Sequence, residues 1–190
     1  MPRMKPFARV LGIDDGFFKP CTKGKTILVG VVYRFGHIVE GIVSSEIKVD
    51  ALDSTAKIIS LAKNKKFYSQ ISFIILSGIN FAGFNIADVK KIFLETKIPI
   101  IIVFRKKPKM EKFLSALKKV PSFKKRLSMV REAGPFYEYK NFFFQLYGCS
   151  EKEARKVFGK TILHSNMPEP VRLAHLIASG VSIGESTRPN

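Results

Sequence analysis

Two apolar runs with a helical pattern between them form the centre of the chain. The runs are residues 73–76 and 99–104, and Val89, Ile92 and Phe93 make one stripe at helical spacing between them. Strands that are buried on both faces of a sheet read as continuous apolar runs, and parallel strands need a crossover connection. The pattern therefore predicts a strand, a helix and a second, parallel strand.

Three earlier segments have strand character, residues 10–13, 26–34 and 38–49. Gly36 lies in the short loop between the second and third segments, which favours an antiparallel hairpin. Antiparallel hairpin strands followed by parallel crossover strands, with helices between and after them, are typical of an α/β fold. We therefore predict a ribonuclease H-like mixed sheet that is flanked by helices.

Helical periodicity begins at residues 50–63, where Asp50 or Asp53 is placed to cap the helix. Further helical patterns follow after residue 105, interrupted by an aromatic segment, residues 136–147, that predicts one core strand. The chain has 190 residues with neither internal repeats nor a long linker. A single domain spanning residues 1–190 is the prediction.

The charge pattern points to a polyanionic partner. The formal net charge is +18, and residues 105–126 alone hold ten Lys or Arg against one acid. Nucleic acid is the first candidate and an anionic membrane surface the second, while a lysine-rich solvated surface is the alternative without a ligand. The candidate phosphate contacts at the start of this block are Arg105, Lys106, Lys107, Lys109 and Lys112.

The cysteines and the apolar runs indicate where the protein works. Cys21 and Cys149 are too far apart in sequence for a zinc motif, and two cysteines make no disulfide framework. The first ten residues lack the apolar core of a signal peptide, and no run approaches the roughly 20 residues of a membrane helix. A cytoplasmic protein with no membrane partner is expected.

The candidate chemistry lies where strands end, because open α/β sheets bind ligands beyond the carboxyl ends of their strands. The first strand ends in Asp14 and Asp15, and two adjacent carboxylates favour a bound cation, although Asp-Gly is also a common turn. The loop after the strand at 73–76 contains Asn80 and Asn85. Both are candidate nucleic-acid contacts, and Asn85 is also a candidate helix cap.

Several segments together resemble a known family. They are VLGIDDG (10–16), LSGINFAGFNIAD (76–88), IPIIIVFRKKP (98–108) and MPEPVRLAHLIASG (167–180). The chain resembles an uncharacterised, mainly archaeal family, domain of unknown function ninety-nine, which is itself similar to endonuclease V. The resemblance covers almost the whole chain, and it implies an endonuclease V-like domain in which Mg²⁺ or Mn²⁺ assists phosphodiester hydrolysis.

The resemblance also implies roles for individual residues. Asp14 matches the first metal carboxylate, and Asp53 is expected to be the second, with Asp50 or Glu40 as alternatives. The basic residue after the fifth strand falls on Arg105. The implied catalytic residues are Asp14, Asp53 and Arg105, and the implied metal ligands are Asp14, Asp15 and Asp53.

Several positions depart from the endonuclease V pattern: Arg105 stands where it has a Lys, and residues 78–83 lack the His that follows its Asp-Gly. Ser77 stands where a third carboxylate is expected, and His175 stands where the closing motif has an Asp. A neutral hydroxyl offers no charge to offset Mg²⁺, and a single histidine among apolar helix residues is interpreted as a packed or surface residue. The expected function is nucleic-acid binding on an endonuclease V-like scaffold; the alternative is an active Mg²⁺- or Mn²⁺-dependent endonuclease that cuts DNA or RNA.

Overall fold

A computed structural model describes residues 8–20, 22–163 and 165–187. The predictions that concern the first seven residues and Cys21 therefore lie outside the described residues. The described strands are β1 (Arg9–Asp15), β2 (Lys25–Arg34), β3 (Ile38–Lys48), β4 (Ile71–Ser77), β5 (Asn80–Phe81), β6 (Asn85–Ile86), β7 (Ile100–Phe104), β8 (Tyr137–Tyr139) and β9 (Phe142–Tyr147).

Helices follow the strands and cover both faces of the sheet. Their bounds are α1 (Ser54–Ala62), α2 (Val89–Thr96), α3 (Met110–Leu117), α4 (Phe123–Glu132), α5 (Glu151–Thr161) and α6 (Glu169–Ile183). Helix α5 opens with a capping box, in which Ser150 and Glu153 each bond the other's backbone N–H. Within the described ranges, no helix combines the length and the apolar composition that crossing a membrane requires.

The main sheet is mixed and has the strand order β3-β2-β1-β4-β7-β9-β8. Strands β1, β2 and β3 pair antiparallel, whereas β4 pairs parallel with both β1 and β7. This arrangement confirms the predicted fold class of antiparallel hairpin strands joined to parallel crossover strands.

Two details differ from the predictions. The aromatic segment forms the hairpin β8-β9 and not one strand, because Lys140 adopts a positive φ of 51° and turns the chain. Strand β9 then pairs antiparallel with β7, and its Phe142 and Phe144 are buried, as the core interpretation predicted. The loop after β4 contains the short antiparallel pair β5-β6, where only a turn was predicted.

The sheet separates two hydrophobic cores, and strand alternation decides which side chains enter each core. Leu11 and Ile13 of β1 face a core with α1 and α2, and we name this side the α1 face. Val10 faces the opposite core with α5 and the start of α6, which we name the α6 face. Alternation therefore directs Asp14 to the α6 face and Asp15 to the α1 face.

Helix α6 lies directly against β1, and two glycines permit this close approach. A side chain at Gly12 would overlap the Pro170 backbone at the start of α6. A Cβ at Gly16 would lie 2.9 Å from the Ala178 carbonyl oxygen, tighter than ordinary van der Waals contact. The contact holds the middle of α6, including His175, beside the end of β1.

Candidate functional site

A cavity of about 450 Å³ opens where β1, β4 and β7 end. The alternation that directs Asp14 to the α6 face also directs Ser77 and Arg105 there, since Ile75 and Val103 two residues earlier lie in the same core. The lining residues are Asp14, Asp15, Gly16, Phe17, Phe18, Ser77, Arg105, Met167, Val171, Arg172, His175, Ser179, Ile183 and Thr187. The structure thus brings together four residues that the sequence singled out: Asp14, Asp15, Ser77 and Arg105.

Asp14 is the buried carboxylate of this cavity, with only 6% of the residue exposed. Its Oδ2 lies 3.0 Å from Nδ1 of His175, and its Oδ1 accepts a hydrogen bond of 3.0 Å from the backbone N–H of Asp15. The other ring nitrogen of His175, Nε2, lies 3.1 Å from Oγ1 of Thr187. His175 therefore links the Asp14 carboxylate to the segment that follows α6.

His175 is a cavity residue that its apolar helix neighbours did not indicate. It was interpreted as a packed or surface residue, whereas the structure places it in the cavity and against Asp14. The available signal was its position in the closing motif, where the endonuclease V pattern has an acid. The position of His175 in that motif is better evidence for its location than its apolar neighbours on the helix.

Asp15 points to the other side of the strand. Its Oδ2 accepts a hydrogen bond of 2.6 Å from the backbone N–H of Ala82, in the loop that contains β5 and β6. Burial raises the pKa of Asp15 to about 7, and the neighbouring charge of Asp14 adds to the effect. The two adjacent carboxylates therefore repel each other while they serve opposite faces of the sheet.

Arg105 brings positive charge to the same cavity. Burial lowers the pKa of its guanidinium, and the negative charge of Asp14 acts in the opposite direction. Arginine nevertheless stays protonated at every ordinary pH, so Arg105 is a permanent cation near Asp14. Such a residue binds a phosphate oxygen but does not donate its proton.

Asp53 and Asn85 lie away from the cavity, on the α1 face. The Oδ1 atom of Asp53 accepts hydrogen bonds from Nδ2 of Asn85 at 2.6 Å and from the backbone N–H of Lys48 at 3.4 Å. Asn85 is fully buried, and its Oδ1 accepts a bond of 3.0 Å from the backbone N–H of Ser54. The structure does not bring Asp53 beside Asp14, so the metal-binding role of Asp53 stays a prediction.

The nucleic-acid contact of Asn85 stays a prediction, and in the structure both ends of its buried amide bond the protein itself. Its Nδ2 also donates to the Lys48 carbonyl at 2.9 Å. Asn85 is not the cap of α2 either, since Asp88 Oδ1 accepts the hydrogen bond from the Lys91 backbone N–H at 2.9 Å. Asn80, in contrast, is exposed and donates to the Gly83 carbonyl at 2.9 Å.

The alternative carboxylates have other partners. Asp50 Oδ1 accepts a hydrogen bond of 2.8 Å from the Phe84 backbone N–H. Glu40 pairs with Arg34 at 2.7 Å and also with Arg9. These contacts engage both carboxylates outside the cavity, and they give Asp50 and Glu40 structural roles.

The basic block divides into exposed lysines and one buried arginine. The exposed members that follow Arg105 in sequence are Lys106, Lys107, Lys109 and Lys112, between the end of β7 and the first turn of α3. Arg126 is only 3% exposed, and its guanidinium donates to the carbonyls of Asp50 at 2.7 Å and Ala51 at 2.8 Å. Arg126 therefore holds the fold together, whereas a phosphate could reach the exposed lysines and Arg105 in the cavity.

A divalent cation fits this cavity only if other ligands complete its coordination. Among the residues that the structure describes, no three His, Cys, Asp or Glu side chains lie close enough to hold a metal ion. Mg²⁺ in proteins is commonly bound by one or two carboxylates, with water and substrate phosphate as its remaining ligands. Asp14 offers one such carboxylate, whereas Asp15 bonds the Ala82 N–H on the α1 face, so the metal-binding role of Asp15 stays a prediction.

Structural comparison finds the same fold in proteins of known structure. A protein of unknown function from Archaeoglobus fulgidus matches with a TM-score of 0.86 at 40% identity, over 92% of this chain and 98% of that chain. Endonuclease V of Ciona intestinalis, in complex with a 23mer DNA that contains inosine, matches with a TM-score of 0.58. That match has 15% identity over 88% of this chain and 82% of that chain, so it shows the endonuclease V-like fold alone.

Sequence comparison identifies close relatives in archaea. The UPF0215 protein of Archaeoglobus fulgidus is 41% identical over 178 residues, which cover 94% of this chain and 96% of the relative. That of Nanoarchaeum equitans is 42% identical over 190 residues, 98% of this chain and 94% of the relative. The sequence model of the family described as Endonuclease dU matches residues 6–182. This chain therefore belongs to the endonuclease dU family.

Proposed function

We propose that this protein is a metal-dependent endonuclease that cuts DNA at or near deoxyuridine, and that the cavity beside Asp14 is its active site. One observation carries the proposal: the buried carboxylate of Asp14, the imidazole of His175 and the cation of Arg105 open into one cavity at the carboxyl edge of the sheet. The family description, endonuclease dU, supplies the substrate class.

Asp14 and Arg105 have complementary tasks in this proposal. Arg105 binds a non-bridging oxygen of the phosphate that is to be cut, which places the phosphorus within the cavity. Asp14 would hold Mg²⁺ or Mn²⁺, with water and substrate phosphate as the remaining ligands. A divalent ion there neutralises charge that develops on the phosphate, and it lowers the pKa of a bound water.

His175 is a positioning residue for Asp14 in this proposal. Its Nδ1 lies 3.0 Å from Asp14 Oδ2, so the ring fixes which carboxylate oxygens remain directed into the cavity. Because α6 cannot move closer to β1 than the Gly12 and Gly16 contacts allow, the ring is held at a fixed depth. Replacement of His175 is therefore expected to weaken metal binding while it leaves phosphate binding by Arg105 in place.

The exposed lysines after β7 extend the phosphate-binding surface beyond the cavity. Lys106, Lys107, Lys109 and Lys112 are exposed and follow Arg105 in sequence. A nucleic-acid strand whose phosphate lies at Arg105 can place its flanking phosphates along this segment. Such contacts release counterions, so binding should weaken steeply as the salt concentration rises.

A second candidate is nucleic-acid binding without hydrolysis, and Ser77 favours it. The hydroxyl of Ser77 stands in the cavity where the endonuclease V pattern has a carboxylate. Loss of that negative charge reduces the attraction for a divalent ion, while the basic surface remains able to bind phosphates.

A cleavage and binding assay separates the two candidates. Labelled single- and double-stranded DNA and RNA, with deoxyuridine, inosine or ordinary bases at one position, are incubated with Mn²⁺ and, separately, with a chelator. The proposed nuclease cuts deoxyuridine-containing DNA only with the metal. Salt-sensitive binding without cleavage under every condition would support the second candidate, and absence of both would contradict each.

A further inference from the structure

Phe17 places an aromatic ring at the rim of the cavity. The residue lines the cavity and is 57% exposed. Among the large apolar side chains that are exposed in the described parts of the chain, it is the only phenylalanine. An exposed ring of this size contributes little to folding, because it removes little apolar surface from water.

The backbone that carries this ring is held on both sides. The Phe17 N–H donates to Oγ of Ser182 on α6 at 2.9 Å, and the Phe17 carbonyl accepts from Oγ1 of Thr26 on β2 at 2.8 Å. The N–H of Gly16 donates to the Ile27 carbonyl at 2.8 Å. The backbone that carries the exposed ring is thus fixed to a helix and a strand, which limits the entropy lost when a ligand stacks on the ring.

The cavity behind Phe17 has one apolar wall and one polar wall. Phe18, Met167 and Val171 contribute apolar surface, whereas Asp14 and Arg105 lie at the ends of the central strands. A nucleobase has apolar faces and is attached through its sugar to a charged phosphate, so it matches this division. The volume of about 450 Å³ is within the range of ligand-sized pockets.

The loop that carries Phe17 also carries exposed positive charge. Lys19 and Lys23 follow in the same connection between β1 and β2, and both are exposed. Aromatic rings interspersed with lysines are the pattern by which proteins bind single-stranded nucleic acid, because the bases stack while the backbone is neutralised.

We propose that Phe17 stacks on an unpaired base of the strand whose phosphate lies at Arg105. The inference rests on the proposed function and adds a requirement to it: the substrate is single-stranded, or is opened locally at the site. Stacking on a ring tolerates every base, so Phe17 contributes affinity for unpaired strands and does not choose deoxyuridine.

The test measures binding of the protein to a single-stranded oligonucleotide in which 2-aminopurine flanks deoxyuridine. A chelator is present so that the oligonucleotide is not cut. The fluorescence of 2-aminopurine falls when the base stacks. Phe17→Ala should bind about tenfold more weakly than the wild type and quench less, and Phe17→Trp should restore both properties. Leu94→Ala is the matched control, since Leu94 is 53% exposed and lies on α2.

The outcomes distinguish this inference from the proposed function. If Phe17→Ala binds the oligonucleotide and quenches its fluorescence as the wild type does, the stacking role is overturned. The proposed function is unaffected by that result. No binding by the wild type in chelator would overturn the stacking inference, whereas the proposed function fails only if cleavage with Mn²⁺ is also absent. Equal thermal unfolding of the three variants and the wild type, followed by circular dichroism, assigns any loss of affinity to the missing ring.

Discussion

The two faces of the sheet treat their carboxylates differently at the same edge. On the α6 face, Asp14 opens into a cavity and is paired with His175. On the α1 face, Asp50 and Asp53 accept hydrogen bonds from backbone N–H groups, and Asp53 also accepts one from the Asn85 amide. Residue type and position at a strand end are alike, so the face that a side chain enters decides whether it is available to a ligand.

The two faces differ in how their polar groups are bonded. The α1 face joins three loops, and Arg126 and Asn85 satisfy their buried carbonyls and N–H groups. Buried polar groups that are fully bonded fix a loop in one conformation. On the α6 face, Asp14 shares a cavity with His175 and Arg105, and a carboxylate beside a cation suits a site that receives a metal ion and a phosphate.

Replacement of Asn85 by Ala should strongly destabilise the protein, because Asn85 joins the loops of the α1 face. The change leaves the Ser54 N–H, the Lys48 carbonyl and the Asp53 carboxylate without their amide partner. We expect the free energy of unfolding to fall by about 3 kcal/mol in urea titration. Asn80→Ala is the control, because Asn80 is exposed, and an equal loss in both variants would argue against the closed network.

Asp15 should make the stability of the metal-free protein depend on pH. Its folded pKa of about 7 lies above the ordinary value of 3.8, so the folded state binds the proton more tightly than the unfolded state. The contribution is complete below about pH 3.8 and disappears as pH rises through about 7. Between these limits the wild type should lose on the order of 4 kcal/mol that Asp15→Asn retains. Urea titrations in chelator at several pH values measure the difference, and parallel pH profiles would contradict it.

The double variant Lys106→Ala/Lys107→Ala should weaken nucleic-acid binding without a change in fold. The loss of two phosphate contacts lowers the slope of log Kobs against log salt by about 1.4 on single-stranded DNA. Lys152→Ala/Lys156→Ala removes the same charge from exposed positions on α5. Equal slopes for the two double variants would show that only net charge matters.

Sequence patterns predicted the fold and the position of the candidate cavity because both follow from local rules. Continuous apolar runs mark the buried parallel strands, and the carboxyl ends of such strands meet at one edge. Asp14, Ser77 and Arg105 therefore lie together in the structure as their positions at strand ends indicated.

The remaining features depend on contacts between distant parts of the chain. His175 reaches Asp14 across 161 residues, and it does so because Gly12 allows α6 to approach β1. The burial of Asn85 depends likewise on Ser54 and Asp53, more than thirty residues away. The local sequence pattern predicts that Asn85 is an exposed loop residue, since asparagine after a glycine-rich turn is usually on the surface.

The central claim, that Asp14 on the α6 face is the functional carboxylate, is tested by comparing Asp14→Asn with Asp53→Asn. Both changes remove one charge with almost no change in shape. We predict that Asp14→Asn lowers Mn²⁺-dependent cleavage of deoxyuridine-containing DNA by about 10³-fold, whereas Asp53→Asn mainly lowers the free energy of unfolding. Cleavage by Asp14→Asn at the wild-type rate would contradict the account, and a 10³-fold loss in folded Asp53→Asn would extend the site to the α1 face.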